Sequence, residues 1–169
     1  KIRLSKLMSE RGICSRREAD DLISRGLVKV DGVLVSELGS KVSRDQVVEL
    51  SESAQREVQG KVTILLYKPV GYVSGQEEDG YIPAIRLISE ENRDLRFPGP
   101  ALRRENLIGI APAGRLDIDS KGLLIFTQDG RVAKTLVGPE GGPSGRIEKE
   151  YFVVVQGQVA APILEKLRF

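Results

Sequence analysis

The sequence is organised around AGRLDIDSKGLLIFTQDG, which runs from Ala113 to Gly130. A turn rich in Gly, Arg and Asp precedes the apolar run 123–126, and Gln128-Asp129-Gly130 forms a second turn after it. This order predicts a short buried strand with polar turns at both ends. Asp117 is therefore expected at the rim of a sheet, where loop residues on a rigid scaffold often carry chemistry. An ordinary turn, in which Asp117 caps local amides and Arg115 pairs with a carboxylate, accounts for the same residues.

Composition narrows the chemistry that is available. The 169 residues carry a net charge of +2, contain no histidine and include one cysteine, Cys14. Ser-His and Cys-His nucleophile pairs, the usual zinc-ligand sets and an intramolecular disulfide are thereby excluded. Any catalysis must rest on carboxylate, Lys, Tyr or Arg side chains, and we expect no cofactor. The sequence lacks an apolar run of the roughly 18 residues that span a membrane, which predicts a cytoplasmic protein, or an organellar one if a leader was removed.

The N-terminal fifty residues predict two small helices and a hairpin. Apolar residues at helical spacing favour a helix over Ile2–Arg11. Ser15 and Glu18 have the spacing of a capping box, which favours a second helix that ends near Arg25. Asp31-Gly32 joins two alternating apolar runs and is a strong hairpin signal.

This arrangement resembles the S4 domain, an RNA-binding module, from Ile2 to about Leu50. Residues 1–30 carry an excess of four positive charges, which suits contact with phosphates. The resemblance implies that the module positions the protein on RNA through Arg3, Lys6, Arg11, Ser15, Arg16, Arg17, Arg25 and Lys29. A basic helical face that only meets solvent is the alternative.

Residues 51–60 are polar and lack periodicity, so we expect a linker there and a second domain over 61–169. Within that domain Phe97-Pro98-Gly99-Pro100 lies in a surface excursion over 75–104, and a loop is expected over 138–146. The remaining patterns predict three strands, over 62–67, Tyr72–Ser74 and Glu148–Val155, with a turn over Lys68–Gly71 between the first two. They also predict short helices over Pro83–Ile88, over Arg131–Val137 and from Pro162.

The stretch GRLDIDSKGLLIFTQDG resembles the central motif of the pseudouridine synthases, specifically the branch that modifies ribosomal RNA and carries a small S4 domain in front, the RsuA-like branch. The resemblance implies an α+β catalytic domain with a mixed, mainly antiparallel sheet. It also implies that Asp117 is the catalytic carboxylate, with Arg115 and Leu116 as its supports. Arg115 would hold a phosphate or lock Asp117 through an ion pair, and we favour the ion pair.

Two flanking motifs extend the resemblance. Lys68-Pro69-Val70-Gly71 resembles the first motif of the family, and contact of Lys68 with the substrate is implied; the alternative is that Lys68 only decorates the turn. The run around Tyr151 resembles the motif whose tyrosine lies against the target base, so Tyr151 is expected to stack on it. A core tyrosine with a satisfied hydroxyl is the alternative.

The resulting hypothesis is an RNA pseudouridine synthase that isomerises one uridine of ribosomal RNA, with ribosomal RNA or a pre-ribosomal particle as partner and a monomer as the expected state. The family continues with a further strand and a basic motif that no residue before Phe169 matches, so we expect either an absent C-terminal part or a reduced domain. The rival hypothesis is a non-catalytic RNA-binding factor of ribosome assembly that retains the fold. A plain ribosomal protein ranks last, since it leaves the Asp117 motif without a purpose.

Overall fold

Two apolar cores, one after the other along the chain, organise the fold. The computed structural model describes residues 1–97, 99–138, 147–159 and 161–166. The first core is built by residues 4–54 and the second by residues 84–126. Among the described residues, no helix combines the length and the apolar character needed to cross a membrane.

The first unit contains two helices, a third helix at its end and two small antiparallel sheets. Its elements are β1 (Ile2–Arg3), α1 (Leu4–Glu10), α2 (Arg16–Ser24), β2 (Val28–Val30), β3 (Val33–Val35), β4 (Lys41–Val42), β5 (Val48–Leu50) and α3 (Glu52–Gln59). The sheets have the strand orders β1-β4 and β3-β2-β5. Leu4, Leu7 and Met8 of α1 pack with Leu22 and Ile23 of α2 in the first core.

Local sequence signals account for most of this unit. The Ser15 hydroxyl accepts a hydrogen bond from the Glu18 amide, and the Glu18 carboxylate accepts one from the Ser15 amide, which confirms the predicted capping box. Asp31 and Gly32 both have positive φ, at 49° and 77°, as the tight turn between β2 and β3 requires. The two predicted helices and the hairpin are thus confirmed.

The segment predicted as a linker contains helix α3. Ser51 caps the helix by accepting a hydrogen bond from the Ala54 amide at 3.2 Å. Ala54 and Val58 lie four residues apart on one face of the helix, and both pack against the first core. Two apolar residues are too few for a helical periodicity to be visible in the sequence, so the helix was not predicted. The domain boundaries themselves stay a prediction.

The second unit is built on the antiparallel sheet β6-β8-β7. Its elements are β6 (Thr63–Lys68), a 3-10 turn (Ala84–Leu87), α4 (Arg104–Leu107), β7 (Ala111–Pro112), β8 (Gly122–Thr127), α5 (Gly130–Val137) and α6 (Ala161–Lys166). The α+β class with an antiparallel sheet is confirmed. A parallel pairing among the described residues occurs in the isolated bridge between Val73 and Pro83, which lies outside this sheet. The strand over 62–67 and the short helices at 84–87, 130–137 and 161–166 agree with their predictions.

The sheet buries one face and exposes the other. Leu124 and Phe126 of β8 lie in the second core, with Ile64 and Leu66 of β6 packed against it. On the opposite face Leu65 and Tyr67 are exposed. The strand alternation therefore directs the apolar stripe of β8 to the core and leaves the rim of the sheet, where Asp117 lies, outside it.

Two strand predictions fail. Tyr72–Ser74 forms only the single bridge at Val73, because Ser74 is drawn to the backbone of Leu116 and the segment does not run along β6. Residues 147–155 form no strand among the described parts of the chain, and their side chains are exposed. A strand needs a hydrogen-bonded neighbour, and the described sheet provides none to this segment. Helix α4 begins at Arg104, the last residue of the predicted surface excursion. Pro98 and most of the loop over 138–146 lie outside the described residues.

Candidate active site

Asp117 lies in the turn that connects β7 to β8. The backbone reverses there, with the Asp117 carbonyl accepting a hydrogen bond from the Ser120 amide at 3.0 Å. Leu116 packs against the second core, whereas the Asp117 side chain is exposed. The turn therefore anchors its apolar residue in the protein and presents its carboxylate to solvent.

The backbone on both sides of Asp117 is tied to the segment that follows β6. The Ser74 hydroxyl accepts a hydrogen bond from the Leu116 amide at 2.8 Å and donates one to the Leu116 carbonyl at 2.6 Å. The Gly71 amide donates to the Ile118 carbonyl at 2.8 Å. Ser74 is only 4% exposed, so the two hydrogen bonds of its hydroxyl are shielded from water. Asp117 is thus held between two fixed residues, an arrangement that limits where its carboxylate can point.

The Lys68-Pro69-Val70-Gly71 turn provides one of these ties because of its glycine. Gly71 has φ +86°, a left-handed conformation that residues with a side chain rarely adopt. This conformation directs the Gly71 amide to Ile118. The turn motif and the Asp117 motif, distant in sequence, are therefore one structural unit.

Lys68 occupies a place that differs from the one expected. Its side chain is completely buried and its Nζ donates a hydrogen bond to the Pro69 carbonyl at 2.9 Å. Burial lowers the pKa of the Lys68 ammonium, and the charges of Asp117 and Asp119 oppose this shift. A buried ammonium offers no surface for substrate contact. Its positive charge acts on the Asp117 turn from the interior of the protein.

Arg115 lines a cleft of about 450 Å³ beside the Asp117 turn. The other lining residues belong to the 75–78 segment and to the end of β7: Gly75, Gln76, Glu77, Glu78, Pro112 and Gly114. Arg115 lies 3.9 Å from Glu78 in a pair whose side chains are 82% and 66% exposed. The favoured ion pair with Asp117 is therefore wrong, because the carboxylate nearest to the guanidinium is Glu78. The exposed guanidinium is free to meet a phosphate, the alternative left open by the sequence.

Tyr151 lies outside any built pocket. Its side chain is 67% exposed, and the structure records no hydrogen bond or ring contact between it and another described residue. The alternative of a core tyrosine is wrong, since the ring is in solvent. Stacking on a base stays a prediction.

The residues of the first unit that are predicted to contact RNA divide into two groups. Ser15 is engaged as a helix cap, Lys6 pairs with Glu10, and Arg25 pairs with Asp21 and Glu57. Arg11 donates to the Arg44 carbonyl at 2.6 Å. Among the residues predicted to contact RNA, the exposed ones with neither an ion-pair nor a hydrogen-bond partner in the described parts of the chain are Arg3, Arg16, Arg17 and Lys29. These four are the candidates that remain free for phosphate.

Ser74 is the residue of the site that sequence reasoning missed. Its 42-residue separation from Leu116 hides the contact from any local pattern. Lys41 was also missed, although it lies directly opposite Arg3 in the β1-β4 pair. Two like charges on one face of a strand pair repel, which favours an anion near them.

Comparison with known proteins agrees with both motif assignments. Residues 2–48 match the S4 domain, and residues 62–168 match the RNA pseudouridylate synthase family. An uncharacterized RNA pseudouridine synthase of Aquifex aeolicus is 36% identical over 98% of this chain and 63% of its own length. Ribosomal large subunit pseudouridine synthase B of Bacillus subtilis is 34% identical over 98% of this chain and 60% of its own length. A putative chloroplastic ribosomal large subunit pseudouridine synthase of Arabidopsis thaliana is 34% identical over 93% of this chain and 37% of its own length. The chain thus spans less than two thirds of each of these relatives.

Proposed function

Because the chain belongs to the RNA pseudouridylate synthase family, we propose that it converts one uridine of ribosomal RNA into pseudouridine, with Asp117 as the catalytic carboxylate. The observation that carries the proposal is the exposed Asp117 side chain on a backbone fixed from both sides. The names of the Bacillus and Arabidopsis relatives favour RNA of the large ribosomal subunit as the substrate. A cytoplasmic location and a monomeric state belong to the same proposal.

The reaction is an isomerisation. The bond between ribose C1′ and uracil N1 breaks, the base rotates, a bond forms between C1′ and C5, and the proton on C5 is replaced by one on N1. Atoms and electrons balance within the nucleotide and solvent protons, so neither a metal nor a redox partner takes part. Positive charge develops on the sugar when the first bond opens, as in glycoside hydrolysis.

Asp117 is suited to this charge. A carboxylate in contact with the sugar can stabilise the cation, attack C1′ or remove a ribose proton, and all three routes require the side chain to be ionised and exposed. Lys68, buried next to the turn, adds a positive charge that interacts with Asp117. Arg115 at the cleft would bind a flanking phosphate.

The target base must leave its stack, at a cost of a few kcal/mol that is smallest in loops. Stacking on Tyr151 would offset about 1–3 kcal/mol of it. Arg3, Arg16, Arg17 and Lys29 would bind phosphates of the surrounding RNA, which fixes the register of the protein without choosing the base.

The test uses the protein as its gene encodes it, with any residues beyond the present sequence, and unmodified transcripts of both ribosomal subunits' RNA. Pseudouridine mapping should find one modified position with the wild type and none with Asp117→Asn, while both proteins bind the RNA equally. Normal product from Asp117→Asn would refute the role of Asp117. Tight binding without product from either protein would favour the non-catalytic assembly factor, for which the free basic residues of the first unit suffice.

A further inference from the structure

The two units of the protein meet at the beginning of α5. Arg131 is held by Asp129, whose carboxylate accepts hydrogen bonds from Nε at 2.9 Å and from Nη2 at 2.6 Å. The remaining nitrogen, Nη1, donates to the backbone carbonyls of Gly12 and Ile13 in the first unit. One guanidinium thus connects the turn after β8 with the loop between α1 and α2.

A second charged pair lies beside this connection. Lys61, which precedes β6, forms a salt bridge with Glu18 of α2, and the two side chains are only 14% and 25% exposed. At the contact itself, a Cβ atom placed on Gly130 would lie 2.9 Å from Cβ of Ser15. The backbones of the two units therefore approach as closely as glycine permits. Glu18, Lys61, Asp129 and Arg131 are called the docking cluster below.

The docking cluster uses the same helical turn that presents free basic residues. Ser15 and Glu18 of that turn contact the second unit, whereas Arg16 and Arg17 between them are exposed and unpaired among the described residues. Any rotation of the first unit would move Arg16 and Arg17 relative to Asp117. Their separation from Asp117 is therefore set by the docking cluster.

We propose that Glu18, Lys61, Asp129 and Arg131 are positioning residues that hold the RNA-binding unit in one orientation on the catalytic unit, and so determine which uridine reaches Asp117. The effect on which uridine is modified rests on the proposed function, but the fixed orientation can be tested without any activity. RNA phosphates bound by Arg16 and Arg17 serve as the reference point. The uridine that enters the site is then the one whose distance from these phosphates equals the distance from Arg16 and Arg17 to Asp117.

The orientation is tested by pulsed electron paramagnetic resonance between spin labels on Glu49→Cys, in β5, and Arg86→Cys, in the 3-10 turn. Both positions are exposed, and the native Cys14 is buried and does not compete for the label. The parent protein should give one narrow distance distribution, and Arg131→Ala should broaden it. Lys61→Ala tests the same contact from outside α5, so a failure of Arg131→Ala to fold leaves the test intact.

Arg93→Ala is the matched control. Arg93 also pairs with a carboxylate, Glu90, and donates to a backbone carbonyl, that of Gly99, but both partners belong to its own surface loop. Its substitution should leave the distance distribution as in the parent. A broad distribution in the parent, or an unchanged one in both Arg131→Ala and Lys61→Ala, would overturn the proposal.

The consequence for specificity is tested with two RNAs. For a ribosomal RNA fragment long enough to reach both units, Arg131→Ala should raise KM about tenfold and add pseudouridine at neighbouring uridines, with kcat unchanged. For a stem-loop trimmed to the target, KM should match the parent. A purely structural defect would lower kcat on both RNAs, and that result would overturn the positioning role. Absence of pseudouridine from the parent protein refutes the proposed function alone, since the distance measurement still decides the orientation.

Discussion

Asp117 and Tyr151 lie on segments that the fold supports in opposite ways. The Asp117 turn is tied by hydrogen bonds at Leu116 and Ile118, whereas residues 147–155 around Tyr151 lie in solvent without a described strand partner. The carboxylate proposed to meet the sugar at a defined angle is thus prearranged. The ring proposed to stack on a flat base, a contact with broad geometric tolerance, is not. The comparison indicates that the fold holds the Asp117 carboxylate in place and does not hold the Tyr151 ring.

The two hydrogen bonds between the Ser74 hydroxyl and the Leu116 backbone, called the Ser74 clamp below, are the feature that most distinguishes the two segments. Ser74→Ala would leave the Leu116 amide and carbonyl unsatisfied and free the turn, and a displacement of about 1 Å costs roughly a hundredfold in rate. We expect kcat to fall about a hundredfold with KM nearly unchanged, measured with saturating RNA. Ser74→Thr keeps the hydroxyl and should recover part of the rate. Equal, normal rates for both variants would show that the clamp does not matter.

The Tyr151 segment should respond in the opposite way, in binding and not in stability. Tyr151→Ala would remove the proposed stacking contact, worth about 1–3 kcal/mol, so kcat/KM should fall about thirtyfold. Because the ring is exposed, the melting temperature should not change. Phe152→Ala is the control, since Phe152 is 95% exposed and adjacent. A similar loss in both variants would assign the effect to the segment as a whole.

Lys68 tests whether its buried charge acts on the fixed turn. Lys68→Met keeps the length and apolar stem of the side chain but removes the positive charge that faces Asp117, so kcat should fall about tenfold. Since burial lowers the Lys68 pKa, charging it opposes folding at every pH below its folded pKa, and this cost disappears as pH rises above the unfolded pKa. Denaturant unfolding at pH 7 should therefore find Lys68→Met no less stable than the wild type. A large loss of stability would instead make Lys68 a structural residue.

The smallest effect is expected at Asp129, beyond the far end of β8. The hydrogen bonds from Arg131 lower the pKa of the Asp129 carboxyl, against the opposing effect of burial. Its contribution to stability is therefore complete above the unfolded pKa, near 4, and is lost as pH falls through the folded value. Asp129→Asn keeps the cap of α5 but loses the charge, so it should lower the free energy of unfolding by about 1 kcal/mol at pH 7. Denaturant titrations at lower pH should find this difference shrinking toward zero; a constant difference would contradict the charge pair.

The sequence allowed prediction of those features that short-range signals specify. Ser15 and Glu18 are three residues apart, Asp31-Gly32 is a dipeptide, and the apolar run of β8 is continuous, so each could be recognised locally. The Ser74 clamp joins residues 42 positions apart, and the partner of Arg115 proved to be Glu78, in a different loop. Only the fold brings such residues together. The alternation over 148–155 was read correctly as a pattern, but a strand also depends on a neighbour that the pattern does not contain.

The central claim, that Asp117 is the carboxylate for which the turn is built, is tested most directly by comparing two carboxylates of that turn. Asp117 and Asp119 are both exposed and both face the charge of Lys68. Single-turnover pseudouridine formation should be abolished in Asp117→Asn and should stay within a few-fold of the wild type in Asp119→Asn, with equal RNA binding by both. Normal turnover by Asp117→Asn, or equal losses in the two variants, would contradict the account.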